Sequence, residues 1–113
     1  MPGFEIIDSK EFLKLKKIFQ TEKVFFRYGF ENIRKNQFFV ESFETDFAKK
    51  VKSKYALAVT SGSVALKIAL KTLRLKRGSK VLIPSFTFIA TLEAILENDL
   101  QPVICDIDMS LNL

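Results

Sequence analysis

The sequence predicts an α/β protein, a mostly parallel sheet with flanking helices, preceded by a helical, aromatic-rich arm. Three observations predict it. From Tyr55 onward short apolar runs alternate with segments of helical period, the pattern of parallel strands joined by crossover helices. Those runs are apolar without alternation, as in strands covered on both faces. Upstream, apolar residues recur at helical spacing, and ten of the twelve phenylalanines precede Lys54.

Taken in order, Asp8 followed by Glu11 has the spacing of a capping box. Phe12, Leu15 and Phe19 then share one face with Ile18, which predicts a helix over residues 9–21. Residues 24–40 carry Phe25, Phe26, Phe30, Phe38 and Phe39, broken by Gly29 and by the turn-favouring Asn32 and Asn36. They read as an irregular arm whose rings pack on the body or on another subunit. Phe43, Phe47 and Val51 step by four, with acids early and lysines late, which predicts a second helix over residues 40–53. Tyr55 to Val59 reads as a strand, ended by Thr60-Ser61-Gly62-Ser63. Ser63 to Leu75 reads as a helix that is apolar on most sides, with one narrow face for solvent. Arg77-Gly78-Ser79 stops it. Lys80 to Ile83 reads as a strand closed by Pro84. After the loop Ser85-Phe86-Thr87, residues 88–98 read as a helix with Ile89, Leu92, Ile95 and Leu96 inward. Gln101 to Cys105 reads as a third strand, closing in Asp106-Ile107-Asp108. Three such strands need cover on both faces, and 113 residues barely supply it, so a truncated α/β domain is expected. Residues 1–37 form the arm, and residues 38–113 the beginning of the domain.

Composition narrows the function. Hydrophobic content of 48% and charged content of 27% are those of a globular protein. No run approaches the ~20 apolar residues that span a bilayer, and the first ten residues lack a secretory apolar region. The single cysteine, Cys105, excludes an intrachain disulfide and reads as a buried thiol in a cytoplasmic protein. There is no histidine, which removes imidazole acid–base catalysis and argues against a metal site. The net charge of +5 divides as 12 basic against 8 acidic residues up to Lys54 and 6 against 5 after it. Acids interleave the excess, so a solvated surface is favoured over nucleic-acid binding.

In parallel sheets ligands sit beyond the carboxyl ends of strands. The first such end, Thr60-Ser61-Gly62-Ser63, offers backbone N–H groups and hydroxyls at a helix start, suited to a phosphate, and Gly62 lets the backbone approach closely. The second, Pro84 to Phe88, offers rings that can stack on a flat heterocycle. The third brings Asp106 and Asp108, which also read as a simple strand-end turn. Phosphate cradle and ring stack together suit a phosphorylated aromatic cofactor. Taken singly, a Ser-Gly-Ser turn is common, and Phe88 is equally compatible with the core.

The stretches FETDFAKKVKSKYALAVTSGSVALKIAL and GSKVLIPSFTFIATLEAILENDLQPVICDID, followed by LNL, resemble the amino-terminal part of the DegT/DnrJ/EryC1/StrS sugar aminotransferases. The resemblance covers residues 38–113. It implies an aspartate-aminotransferase-like large domain of fold type I and the cofactor pyridoxal 5'-phosphate. It places the cofactor phosphate on Ser61-Gly62-Ser63, with the Ser63 hydroxyl and the Val64 N–H as donors, and the pyridine ring against Phe88. Serine stands at 63 where the family usually has threonine. The implied reaction moves an amino group from an amino acid, glutamate by expectation, to a nucleotide-linked keto sugar, in a homodimer. None of the lysines here matches the family's Schiff-base lysine, so the chain is expected to be an inactive fragment by itself, with no catalytic residue assigned. A family member turned to sugar dehydration, a non-catalytic phosphate-binding α/β module and a nucleic-acid binder built on residues 24–40 remain as alternatives.

Overall fold

The computed structural model describes residues 4–21 and 24–112. They fall into two compact units, residues 1–58 and residues 59–113.

In the first unit, a 3-10 turn at Phe4–Ile6 precedes α1 (Ser9–Thr21). Its start forms as the sequence predicts. The Asp8 N–H donates to Glu11 Oε2 at 2.9 Å, and Asp8 Oδ1 accepts from the Lys10 N–H at 2.7 Å. The Asp8 N–H therefore holds the Glu11 carboxyl below its ordinary value. The arm that follows turns twice where the sequence marks turns, with Gly29 at φ 79° and Asn36 at φ 56°. Phe26 and Phe30 stack with centroids 5.8 Å apart, and Phe19 tilts against Phe25 at 5.1 Å. Helix α2 (Phe39–Lys50) comes next. Its buried residues are Glu44 and Ala48, not the Phe43, Phe47, Val51 face that periodicity selects, which stays exposed. The shift has a polar cause. Glu44 is drawn inward because the arm and the segment after α2 supply it with donors.

In the second unit, α3 (Gly62–Thr72) ends at Leu73 and Arg74, where φ is 50°, before the stop that the sequence predicts at Arg77-Gly78-Ser79; Gly78, at φ 78°, turns the chain into β1 (Lys80–Pro84) instead. Helix α4 (Ile89–Leu96) crosses to β2 (Gln101–Cys105). The strands pair in parallel, Lys80 opposite Gln101 through Pro84 opposite Cys105. The architecture is α/β with flanking helices, as predicted. Its core is small: Ile83, Ile95 and Leu100, with Leu70, Val81 and Leu92 packed against them.

Four expectations are corrected. Tyr55–Val59 is not a strand, and the sheet has two strands among the described residues. Apolar β-favouring residues supply the propensity, but a strand also needs a ladder partner, and neither β1 nor β2 pairs with this segment. Helix α3 buries none of its residues, because among the described elements it packs on α4 and leaves its other apolar faces open. In α4, Leu92 and Ile95 turn inward, while Ile89 and Leu96 are 54% exposed. They flank the stripe that meets the sheet. Cys105 is half-buried rather than enclosed. Among the described residues no helix is long and apolar enough to cross a membrane.

Candidate functional site

The turn before α3 is built around Ser61. Its backbone is extended, at φ −160° and ψ 163°, and its side chain caps the helix by accepting from the Val64 N–H at 3.2 Å. Its carbonyl accepts the first helical bond, from the Ala65 N–H at 3.0 Å. A helix start leaves its first N–H groups without partners on the helix. Here Ser61 satisfies that of Val64 and leaves those of Gly62 and Ser63, beside the Ser63 hydroxyl. A Cβ added at Gly62 would meet nothing within 4 Å, so the approach to these donors is open. The first turn holds no acidic residue.

Phe88 takes the equivalent place before α4, as its N-cap in an extended conformation. It is 74% exposed, so it is not core. Helices α3 and α4 lie side by side. Ser63 and Val64 border a crevice of about 190 Å³ together with Ala90 and Ala94, so both helix starts stand at the same end of the pair. Farther along, Lys67 Nζ meets Glu97 Oε2 at 2.5 Å, and Asn98 Nδ2 donates to the Lys67 carbonyl at 3.1 Å. These contacts fix the register of the two helices. The Lys67 ammonium is thereby committed to Glu97 on the helix flank.

Asp108 organises a turn. Its Oδ1 accepts from the Ser110 hydroxyl at 2.5 Å and the Ser110 N–H at 2.8 Å. The hydroxyl contributes most to holding the Asp108 carboxyl below its ordinary value. This is the strand-end turn that the sequence allows.

The first unit also holds a polar clamp that the sequence pattern does not predict. The Arg27 guanidinium donates to both Glu44 oxygens, at 2.5 and 2.7 Å. Glu44 Oε1 also accepts from the Ala58 N–H at 2.6 Å, and Arg27 donates to the Ala58 carbonyl at 3.3 Å. The Ala58 N–H, followed by Arg27, holds the Glu44 carboxyl below its ordinary value. The clamp satisfies both backbone groups of Ala58, in a segment without a ladder partner. One signal pointed to it: Glu44 sits between Phe43 and Phe47 and four residues before the small Ala48.

Comparison with known proteins supplies the family. The sequence profile of the DegT/DnrJ/EryC1/StrS aminotransferase family matches residues 31–113. The chain belongs to this family. GDP-perosamine synthase of Vibrio cholerae is 36% identical over 70 residues, which are 62% of this chain and 19% of that protein. UDP-N-acetyl-3-dehydro-alpha-D-glucosamine 3-aminotransferase of Acidithiobacillus ferrooxidans is 43% identical over 54 residues, 48% of this chain and 15% of that protein. The matched stretch thus spans less than a fifth of these DegT/DnrJ/EryC1/StrS relatives. Among solved structures, an aminotransferase of Psychrobacter cryohalolentis superposes with a TM-score of 0.75 at 30% identity, covering 95% of this chain and 24% of its own. A GDP-4-keto-6-deoxymannose-3-dehydratase, solved with a trapped PLP–glutamate geminal diamine, gives 0.76 at 28% identity, covering 90% and 25%. The fold is therefore that of part of the aspartate-aminotransferase-like large domain, and pyridoxal phosphate is the cofactor of the family.

Proposed function

We propose that this chain supplies the phosphate-holding end of a pyridoxal-phosphate site. The parent enzyme would be an aminotransferase moving an amino group from an amino acid, by expectation glutamate, to a nucleotide-linked keto sugar. The observation that carries this reading is the start of α3. There an 11-residue helix with no acid in its first turn begins with the N–H groups of Gly62 and Ser63 and the Ser63 side chain. The donor set fits a phosphate dianion: the helix dipole adds about 0.3–1 kcal/mol to each favourable charge placed there, and hydrogen bonds to a charged oxygen are roughly twice as strong as neutral ones.

The residues divide the work. Gly62 and Ser63 N–H groups and the Ser63 hydroxyl grip the phosphate. The Val64 N–H joins them only when Ser61 releases it. Phe88, exposed at the start of the neighbouring helix, supplies a flat apolar face against the pyridine ring. When bound, the cofactor provides an electron sink for the amino transfer. Residues 38–113 belong to the cofactor-binding domain and residues 1–37 precede it as an arm, in a parent that works as a homodimer.

The likeness to GDP-4-keto-6-deoxymannose-3-dehydratase supports a second reading, sugar dehydration with the same phosphate grip. Product analysis of the parent separates the two: a nitrogen-bearing sugar for transfer, a deoxygenated sugar for dehydration. The division of labour is tested on the 113-residue chain supplied with glutamate, pyridoxal phosphate and a nucleotide-linked keto sugar. No 2-oxoglutarate is expected. Steady turnover would overturn the assignment of this stretch to binding without transfer.

A further inference from the structure

Arg34 is the most deeply buried basic side chain among the described residues, at 5% exposure. It sits in the turn at residues 31–36 of the arm, ahead of α2. One terminal nitrogen donates to the Phe26 carbonyl, and the guanidinium lies 4.7 Å from the centroid of the Phe38 ring. Its Nε is buried and has no hydrogen-bond partner. Among the described residues no carboxylate pairs with it, in contrast to Arg27, which holds Glu44 through two bonds. A buried cation without an anion is costly, and a guanidinium offers an in-plane pair of N–H groups that matches a carboxylate.

Arg34 lines a cavity of about 160 Å³ with Val24, Phe25, Phe26 and Phe39. Gln37 is the other polar residue of the lining, which is otherwise apolar. The space equals about five waters at ~30 Å³ each. That accommodates a carboxylate and a few carbons, in a pocket open to solvent on the side of the exposed Phe25, Phe26 and Phe39 rings. A phosphate would need donors for a third oxygen and a second positive charge; Gln37 can donate a hydrogen bond but carries no charge, and Arg34 is the one cation of the lining. We propose that this cavity is a binding site for a small monocarboxylate with a short branched apolar body. The carboxylate sits on Arg34, and the body lies against the phenylalanine rings.

Isothermal titration of the whole chain at low salt tests this with isovalerate, the neutral isovaleramide and inorganic sulfate. Isovalerate is expected to bind saturably at one site. The amide and sulfate are each expected to bind at least tenfold more weakly. Arg34→Gln removes the cation, and Val24→Phe fills the cavity while leaving Arg34 in place. Each is expected to weaken isovalerate at least tenfold, with the far-UV circular dichroism of Val24→Phe unchanged. The proposal is overturned by an absence of saturable isovalerate binding, by equal binding of the amide, or by sulfate binding as tightly as isovalerate. Unchanged affinity in Val24→Phe would overturn it too. The three ligand comparisons on the unsubstituted chain decide the question even where a variant does not fold.

Discussion

Two neighbours on α4, Ile95 and Leu96, make opposite predictions although both look inward in sequence. Ile95 is 1% exposed and anchors the contact with Ile83 and Leu100, while Leu96 is 54% exposed. Ile95→Ala removes three buried carbons. At about 0.8 kcal/mol per methylene the lost transfer energy is about 2.4 kcal/mol. Incomplete collapse of the site adds a cavity contribution, for a total of about 3–4 kcal/mol. Leu96→Ala removes the same number of carbons from a half-wet surface and leaves no enclosed cavity, so it costs about 1 kcal/mol. The first change is a large share of what a core of this size provides. Ile95→Val, expected at about 1 kcal/mol, is therefore measured beside it. Urea unfolding followed by far-UV circular dichroism reads all three, the midpoint falling in proportion to the lost stability at constant slope. Equal destabilisation by Leu96→Ala and Ile95→Ala would mean that the buried stripe of α4 is not the one that carries Ile95.

Ser61→Ala removes the cap on Val64 and is expected to cost about 1 kcal/mol of α3 stability, visible as lost protection of the Val64 amide in hydrogen exchange. The Glu44 clamp should appear in the pH dependence of unfolding. Its carboxyl is held below the ordinary value near 4.5, so the stability it contributes is present above that value and is lost as pH falls through the lower, folded one. Glu11 and Asp108 are depressed as well and fall in the same acid window. The test is thus the difference between the parent and Glu44→Gln, which should be largest near neutral pH and shrink on acidification; a pH-independent difference would remove the clamp from the account. Ser63→Ala should weaken a phosphorylated ligand tenfold or more in equilibrium dialysis, because a hydroxyl bonded to a charged oxygen contributes about 1.5–3 kcal/mol.

Local chemistry was legible in the sequence, and long-range partnership was not. The Asp8–Glu11 capping box and the bounds of α1 depend on residues within one turn of chain, and both formed as read; a turn forms at Gly78 as well, but α3 has already ended at Thr72. The start of α3 was legible for the same reason, since Ser61 caps the helix whose first residues are Gly62 and Ser63. The Tyr55–Val59 segment shows the limit. Its composition announces a strand, but pairing depends on distant residues, and those present pair with each other instead. Helix α2 shows another. Periodicity finds an apolar face without saying what covers it, and the face buried here is set by Glu44, whose donors lie 17 residues before it and 14 after it. Arg34 illustrates the same point: a basic residue between aromatics reads as a surface charge until the chain folds around it.

The grip of the α3 start on a cofactor phosphate is tested most directly by a ¹⁵N-labelled titration of the whole chain with pyridoxamine 5'-phosphate, beside pyridoxamine as the unphosphorylated control. The amine form is chosen because an aldehyde would label exposed lysines indiscriminately. Saturable shifts are expected, largest at the Gly62 and Ser63 amides, that the control does not produce and that Ser63→Ala weakens. Binding of both compounds with equal strength, or binding that leaves the Gly62 and Ser63 amides unmoved, would contradict that grip.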